Sequence, residues 1–126
     1  MTTEHQEQAM LITWARHTES HWPELALLHA IPNGGWRGYK TGKMLKAEGL
    51  KPGVPDLCLP VPRHGYHGLY LEMKSKKGRV RQSQQSWLDR LNEQGYLALV
   101  CKGFAQGVDV FTEYLGDKEP DETGTE

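Results

Sequence analysis

Two short apolar runs, joined by a loop rich in proline and glycine, lie within residues 51–74 and constrain the fold more than any other stretch. The runs are residues 56–59 and 69–74, and the connecting residues 60–68 include two prolines and two glycines. Proline and glycine interrupt strands and favour turns. The sequence therefore predicts a β-hairpin whose two strands lie side by side.

The second of these strands separates its polar residues from its apolar ones, because successive side chains point to opposite faces. Glu72 and Lys74 share one face with Tyr70, whereas Met73 and the leucines lie on the other. Asp56 begins the neighbouring strand, so two carboxylates and an ammonium group are expected to converge. Mg²⁺ prefers carboxylate oxygens, and a lysine beside it can hold a water or a phosphate. The pattern predicts a site for a hard divalent cation.

The spacing of these groups resembles the signature of the PD-(D/E)XK nuclease superfamily, in which Pro-Asp is followed at a distance by Glu-x-Lys. Neighbouring motifs resemble the VRR-NUC family, especially its short stand-alone members from phages and prophages. In order, those motifs are residues 31–35 (IPNGG), 53–57 (GVPDL), 72–75 (EMKS), 78–79 (GR), and Gln84 followed by Trp87. The resemblance spans roughly residues 3–115. It departs at Arg81-Gln82, where the family suggests a serine-proline-like helix start.

The resemblance implies an α/β restriction-endonuclease-like fold of the PD-(D/E)XK type, with a central mixed β-sheet flanked by helices. It implies an endodeoxyribonuclease that uses Mg²⁺ or Mn²⁺ to hydrolyse phosphodiester bonds in branched DNA such as four-way (Holliday) junctions. Symmetric cutting of two strands would require a homodimer. An alternative of a different class is a non-catalytic DNA-structure-binding accessory protein with a vestigial nuclease site. A metal-independent RNA-binding module is a third, disfavoured by the lack of RNP-like aromatic residues.

The same resemblance implies roles for individual residues of the hairpin and of the segment after it. Asp56 and Glu72 would bind the metal together with the backbone carbonyl of Met73. Lys74 would orient or deprotonate the attacking water. Gln84 would support this arrangement, although an ordinary surface glutamine is the alternative.

Superfamily members often place a glutamate from a helix near the metal, and the N-terminal segment offers two candidates. Thr2 or Thr3 can cap a helix that runs to about residue 17. Glu4 is the first candidate for the supporting glutamate and Glu7 the second. The alternative for either is an acid favoured at a helix N-terminus by the helix dipole.

Charge is unevenly distributed along this chain, whose net charge is only −1. Residues 35–81 hold eleven of the fifteen lysines and arginines but only three acids, whereas residues 116–126 hold five acids and one lysine. A local cluster of cations is typical of a protein that binds a polyanion, although a solvated basic face is the alternative. Asn33 and Gly34 lie in a turn that serves as a turn alone or lets backbone amides approach phosphate. The residues predicted to contact DNA are Asn33, Gly34, Arg37, Lys40, Lys76, Lys77, Arg79 and Arg81.

The length favours one domain, residues 1–115, followed by an acidic tail, residues 116–126, that we expect to be disordered. Other predicted elements are helices over residues 39–48 and 83–94, a strand over 96–101, a helix or helix–strand segment over 104–115, and a short strand or extended segment over 24–30. The homodimer interface would draw on exposed apolar groups, for which the candidates are Trp22, Trp36, Phe111 and Tyr114.

Cysteine and histidine usage indicates a reducing compartment and no structural zinc. Cys58 and Cys101 lie in apolar runs and predict reduced, buried thiols, with a disulfide between them as the alternative. The six histidines lack the spacing typical of zinc ligands. No apolar window approaches the ~20 residues of a membrane span, and no signal peptide is visible. We therefore expect a cytoplasmic protein, in the bacterial host cytoplasm if it is phage or prophage encoded.

Overall fold

A four-stranded mixed sheet forms the centre of the molecule in the computed structural model, which describes residues 2–32 and 42–116. The strands lie in the order β1-β2-β3-β4; β2 is antiparallel to both neighbours and β4 is parallel to β3. Their bounds are β1 His29–Ala30, β2 Leu57–Leu59, β3 Leu69–Lys74 and β4 Leu97–Lys102. The helices are α1 Glu4–Thr18, α2 Gly42–Ala47, α3 Gln82–Glu93 and α4 Phe104–Leu115. This architecture confirms the predicted α/β fold with a mixed sheet flanked by helices.

The predicted hairpin is present and supplies the two central strands. Leu57 lies opposite Leu71 and Leu59 opposite Leu69, so the register brings the first residue of β2 beside the middle of β3. β4 then returns parallel to β3, with α3 as the crossover that a parallel pair requires. As a result, β3 is hydrogen-bonded on both sides, and five of its six residues are buried.

The alternation predicted for β3 decides which face carries the core. Leu71 and Met73 point into a cluster that includes Leu11 of α1 and Phe111 of α4, all of them 0–1% exposed. Full burial of each such side chain contributes roughly 1.5–3 kcal/mol to folding. Glu72 and the other polar residues of β3 point to the opposite face, which α3 covers. The apolar face of β3 therefore packs on the core, and its polar face carries the candidate site residues.

The start of α1 is fixed by a capping box. The Thr3 hydroxyl accepts a hydrogen bond from the Gln6 backbone N–H at 3.1 Å, and the Gln6 side-chain oxygen accepts one from the Thr3 N–H at 2.9 Å. Such reciprocal bonds satisfy two of the donors left free at a helix N-terminus. Because the start is fixed, Glu4 and Glu7 both lie in the first turn, as predicted.

The last helix is continuous, which settles the choice between a helix and a helix–strand segment. Gly107 allows α4 to lie against α1, because a Cβ at this position would come within 2.6 Å of a Leu11 methyl carbon. Phe111 and Tyr114 are 0% and 2% exposed, so their prediction as dimer-interface residues is wrong. Both side chains fill the core beneath the helix. Trp22 also packs against that core and is only partly exposed.

The segment after α1 differs in part from the prediction. A 3₁₀ helix, Pro23–Leu27, replaces most of the strand or extended segment predicted over residues 24–30, and the strand is reduced to His29–Ala30. Pro23 lies at the start of this helix, where a missing N–H costs nothing. Trp36 and the acidic tail beyond Gly116 lie outside the described residues.

The open edge of β4 is covered by side-chain amides. Asn92 both accepts from the Ala98 N–H at 3.0 Å and donates to the Ala98 carbonyl at 3.1 Å. Gln106 accepts from the Lys102 N–H at 2.7 Å. An exposed strand edge invites pairing with another chain, and these bonds occupy much of that edge. A dimer is therefore not expected to form by pairing of β4 with its copy.

Both cysteines are free and buried, which confirms the prediction of reduced thiols and excludes the disulfide. Burial raises the pKa of the Cys101 thiol to about 11, so this group is held in its unreactive neutral form. Among the helices formed by residues 2–32 and 42–116, none has the length and apolar character needed to cross a bilayer.

Candidate active site

Asp56 is fixed against the central strand by its own side chain. It directly precedes β2, and its Oδ2 atom accepts a hydrogen bond from the Met73 backbone N–H at 2.8 Å. Its backbone carbonyl accepts from the Ile31 N–H, also at 2.8 Å. The preceding Pro55 is fully buried, which limits movement of the backbone on that side. Asp56 is thus held from two sides, with its carboxylate beside β3.

Glu72 and Lys74 are the two charged side chains buried among the described residues, at 3% and 6% exposure. They lie two residues apart on the same face of β3, and Lys74 Nζ is 3.5 Å from Glu72 Oε2. A buried charge is costly unless it has partners. The pairing offsets part of that cost. A buried ion pair is nevertheless often no more stabilising than apolar side chains of similar volume, so stability alone does not explain its presence.

Gln84 contacts the same carboxylate, as the sequence predicted. Its Nε2 donates to Glu72 Oε2 at 3.0 Å, and its Oε1 accepts from the Arg81 N–H at 2.8 Å. The second bond replaces the missing serine-like cap at the start of α3 and fixes the amide in one orientation. Gln84 is therefore a bridge between the helix N-terminus and the buried carboxylate, and not an ordinary surface residue.

The electrostatics of the carboxylate pair are unfavourable without a further positive charge. Burial first, and the neighbouring Asp56 second, raise the pKa of Glu72 to about 7, although Lys74 opposes the shift. Burial also raises the pKa of Asp56, against the hydrogen bond from Met73 and the charge of Lys74. The charges of Asp56 and Glu72 act on each other, so the pair can share a proton when no cation is present. One ammonium does not neutralise two desolvated carboxylates.

Glu4 and Glu7 have different surroundings although they lie one turn apart. The charge of Glu4 raises the pKa of both Asp56 and Glu72. Glu7 instead accepts hydrogen bonds from the Thr2 hydroxyl and from the Phe104 N–H, the latter at 2.6 Å, and these bonds lower its pKa. Glu7 thus links α1 to the N-terminus of α4, whereas the charge of Glu4 raises the pKa values of Asp56 and Glu72.

A basic loop leaves the site directly after β3. Its four cationic residues are all exposed, and they are Lys76, Lys77, Arg79 and Arg81. Lys102, at the end of β4, adds a cation that the sequence did not suggest: its Nζ donates to the Gly78 carbonyl at 3.2 Å. The other predicted DNA contacts fall outside the described residues, and they are Asn33, Gly34, Arg37 and Lys40.

The candidate metal ligands at this site are oxygen atoms, which suit a hard cation such as Mg²⁺. Within the described parts of the chain, no group of three His, Cys, Asp or Glu side chains is arranged to hold a metal ion. Two carboxylates with a backbone carbonyl match Mg²⁺, which keeps several waters and takes its remaining ligands from a phosphate substrate.

Comparison with known proteins gives two matches that cover the site. The model of the VRR-NUC domain family matches residues 1–105, a range that contains every charged side chain of the site. A solved structure described as a VRR_NUC domain protein has a TM-score of 0.77 and 28% sequence identity, and the match covers 92% of each chain. Among curated proteins no match was found.

Proposed function

Because the chain belongs to the VRR-NUC family of nuclease-type domains, we propose that it is a Mg²⁺- or Mn²⁺-dependent endodeoxyribonuclease that hydrolyses phosphodiester bonds. The observation that carries the proposal is the buried pair of Glu72 and Lys74 on one face of the central strand, with the partly buried Asp56 beside it just before β2. An enclosed pair of acids beside an ammonium destabilises the fold, so a catalytic role is the better explanation for it.

The residues fit a divalent cation, since the two carboxylates lie in each other's field and Lys74 offsets their charge only in part. Asp56, Glu72 and the Met73 carbonyl would hold it. When bound, the ion would lower the pKa of a water and neutralise charge on the phosphoryl group.

The protein's own residues would place the reactants. Lys74 would orient the attacking water and offset negative charge on the scissile phosphate, because its ammonium is buried 3.5 Å from Glu72. Gln84 would hold Glu72 in the conformation that faces the ion. Glu4 would add a third acid at the edge of the site, where it can accept a hydrogen bond from a bound water.

Metal binding can be tested without cleavage, through the pH dependence of stability. Glu72 has a folded-state pKa of about 7 against an ordinary 4.5, so the folded protein binds more protons than the unfolded chain between these values. The metal-free protein should therefore lose on the order of 2–3 kcal/mol of stability as the pH rises from 4.5 to 7. Thermal melts of wild type and Glu72→Gln in EDTA should show a larger loss in the wild type, because the variant keeps only the contribution of Asp56.

Saturating Mg²⁺ or Mn²⁺ should remove most of the loss, because the ion favours the ionised carboxylates. Ca²⁺, a hard cation of the same charge, would show whether stabilisation depends on ion size. Equal pH profiles for wild type and Glu72→Gln in EDTA would contradict the assignment of Glu72 as the strained group.

The basic loop is expected to bind backbone phosphates and to carry no base specificity. Its cations lie on an exposed loop. Readout of base edges typically uses a helix that enters the major groove, and this loop does not offer one. Replacing Lys76, Lys77, Arg79 and Arg81 together by glutamine should weaken binding to all sequences alike. The slope of log K against log salt should fall by about 0.9 for each duplex phosphate that is no longer neutralised. Weaker binding confined to particular sequences, with an unchanged slope, would refute this role.

We further propose that the substrate is branched DNA, such as a four-way junction, and that a homodimer cuts it. A junction has two-fold symmetry, and each chain supplies one site, so two related sites could meet both strands in one encounter. A specific dimer usually buries ~1,200 Å² or more in total. Light scattering at micromolar concentration should report about twice the 14.3 kDa chain mass. A species that is monomeric alone and on junction DNA would rule the dimer out.

The experiment that tests the function compares labelled four-way junction, flap and linear duplex, each with Mg²⁺, Mn²⁺ or EDTA. Metal-dependent cleavage with junction or flap ahead of duplex is the expected result. The second candidate, an accessory protein with a vestigial site, predicts binding of the same DNA with no cleavage under any condition. The intact set of Asp56, Glu72, Lys74 and Gln84 favours the enzyme.

A further inference from the structure

A cationic cleft lies between the end of α2, the loop that follows it and the outer face of α3. Its volume is about 680 Å³, in the range typical of small-molecule sites. Lys46, Lys51 and Arg90 line it together with Trp87, and none of the described lining residues is acidic. These groups suit a nucleotide, because the three cations can bind its phosphates and the aromatic ring can stack on its base.

The cleft is held in a fixed shape by contacts between its walls. Trp87 Nε1 donates to the Pro52 carbonyl at 3.1 Å, which fixes the plane of the indole ring. Gly53, whose φ is +89°, packs on the backbone of Ser83 so closely that a Cβ would lie 2.7 Å from the Ser83 carbonyl oxygen. The ring is thus positioned before any ligand arrives, which lowers the entropy cost of binding.

Both walls also carry residues of the candidate active site. Along α3, Trp87 follows Gln84 by three residues, so the two side chains lie on the same face one turn apart. Along the loop, Gly53 precedes Asp56 by three residues. The cleft and the candidate active site are therefore built on the same two segments of the chain.

From this placement we propose that the cleft is a subsite for an unpaired nucleotide next to the scissile phosphate, with the base stacked on Trp87 and its phosphates bound by Lys51 and Arg90. The proposal rests on the proposed nuclease function and deepens it, because it gives a physical basis for choosing branched DNA. In a linear duplex every base is stacked and paired, so none is available to the indole ring. At a flap, where one strand is unpaired, a base can enter at much lower cost, whereas a fully paired four-way junction would first have to open a base pair at its centre.

The test measures binding in EDTA, so that it is independent of cleavage. The substrate is a flap DNA with a fluorescent adenine analogue at the first unpaired position, compared with linear duplex carrying the same analogue. Wild type and Trp87→Phe should quench the flap signal, whereas Trp87→Leu should not. Trp87→Leu should also weaken flap affinity by about ten- to a hundred-fold, the usual effect of removing one stacking partner, with little change for duplex.

A second variant covers the case in which Trp87→Leu fails to fold. Lys51→Gln/Arg90→Gln changes only exposed side chains and should weaken flap binding more than duplex binding, with a salt slope lower by about 0.7 per single-strand phosphate. Arg16→Gln, on the distant exposed face of α1, is the matched control. Equal weakening of flap and duplex by either variant, or quenching of the flap signal by Trp87→Leu to the same extent as by wild type, would overturn the proposal. Quenching without any cleavage in Mg²⁺ or Mn²⁺ would support the subsite and refute the nuclease function.

Discussion

Asp56→Asn and Glu72→Gln are each expected to abolish metal-dependent cleavage while leaving DNA binding in EDTA nearly unchanged. Each substitution removes one negative charge from the pair that would hold the cation and conserves the volume of the side chain. The structural hydrogen bonds survive, because an amide oxygen at position 56 can still accept from the Met73 N–H and one at position 72 can still accept from Gln84. Any decrease in activity would therefore come from the missing charge.

The measurement is initial rate on labelled junction and duplex with Mg²⁺ and with Mn²⁺, alongside circular dichroism and DNA affinity in EDTA. Glu113→Gln is the matched control, since Glu113 is an exposed acid on α4, away from the carboxylate pair. Glu72→Gln should, in addition, be more stable than wild type above pH 7 without metal, since it relieves the burial of a charge. Turnover in either substituted protein at a rate near wild type would sink the assignment of the active site.

Lys74→Ala should retain metal binding but cleave about 10²–10³ times more slowly, the usual effect of removing one group that stabilises a transition state. The ammonium is nearly fully buried beside Glu72, where the low dielectric strengthens its effect on a phosphate. Its charge also lowers the pKa of Glu72, so its removal should move the onset of metal binding to higher pH. Metal affinity must therefore be compared at several pH values.

Lys74→Met separates the effect of the charge from the effect of the packing, because methionine keeps most of the apolar stem of lysine. Arg16→Ala, the removal of an exposed cation on α1, serves as the control for a change of net charge. If Lys74→Met restores the fold of an unstable Lys74→Ala and recovers its activity as well, the role of Lys74 is structural. Activity that remains low in a well-folded Lys74→Met is the outcome expected for a positioning charge in the site.

Much of the fold was determined by local pattern alone. The proline- and glycine-rich loop between two apolar runs specified the hairpin, and period-two alternation placed Glu72 and Lys74 on one face of β3. The family motifs then indicated the mixed sheet and the helices around it. The hairpin and the alternation follow from neighbours in sequence, whose relative positions the strand period fixes, whereas the mixed sheet was implied by the family resemblance.

Other features depended on contacts between segments far apart in the chain. Only packing shows that Phe111 and Tyr114 fill the core, because an apolar stripe in a sequence looks the same whether it meets a core or a partner. The sequence ranked Glu4 ahead of Glu7, but only the structure shows that the Glu7 carboxylate accepts a hydrogen bond from Phe104, 97 residues later.

The cleft beside Trp87 is likewise a tertiary feature, since its cations come from α2, the following loop and α3. In the sequence Trp87 is one member of the apolar stripe of α3, and only Leu88 of that stripe is fully buried. Sequence by itself thus singled out Asp56, Glu72 and Lys74 as candidates for the chemistry, because their types and spacing are local. Tertiary structure alone decided how far each is desolvated and what lies next to it, because burial and charge proximity arise only when distant segments pack.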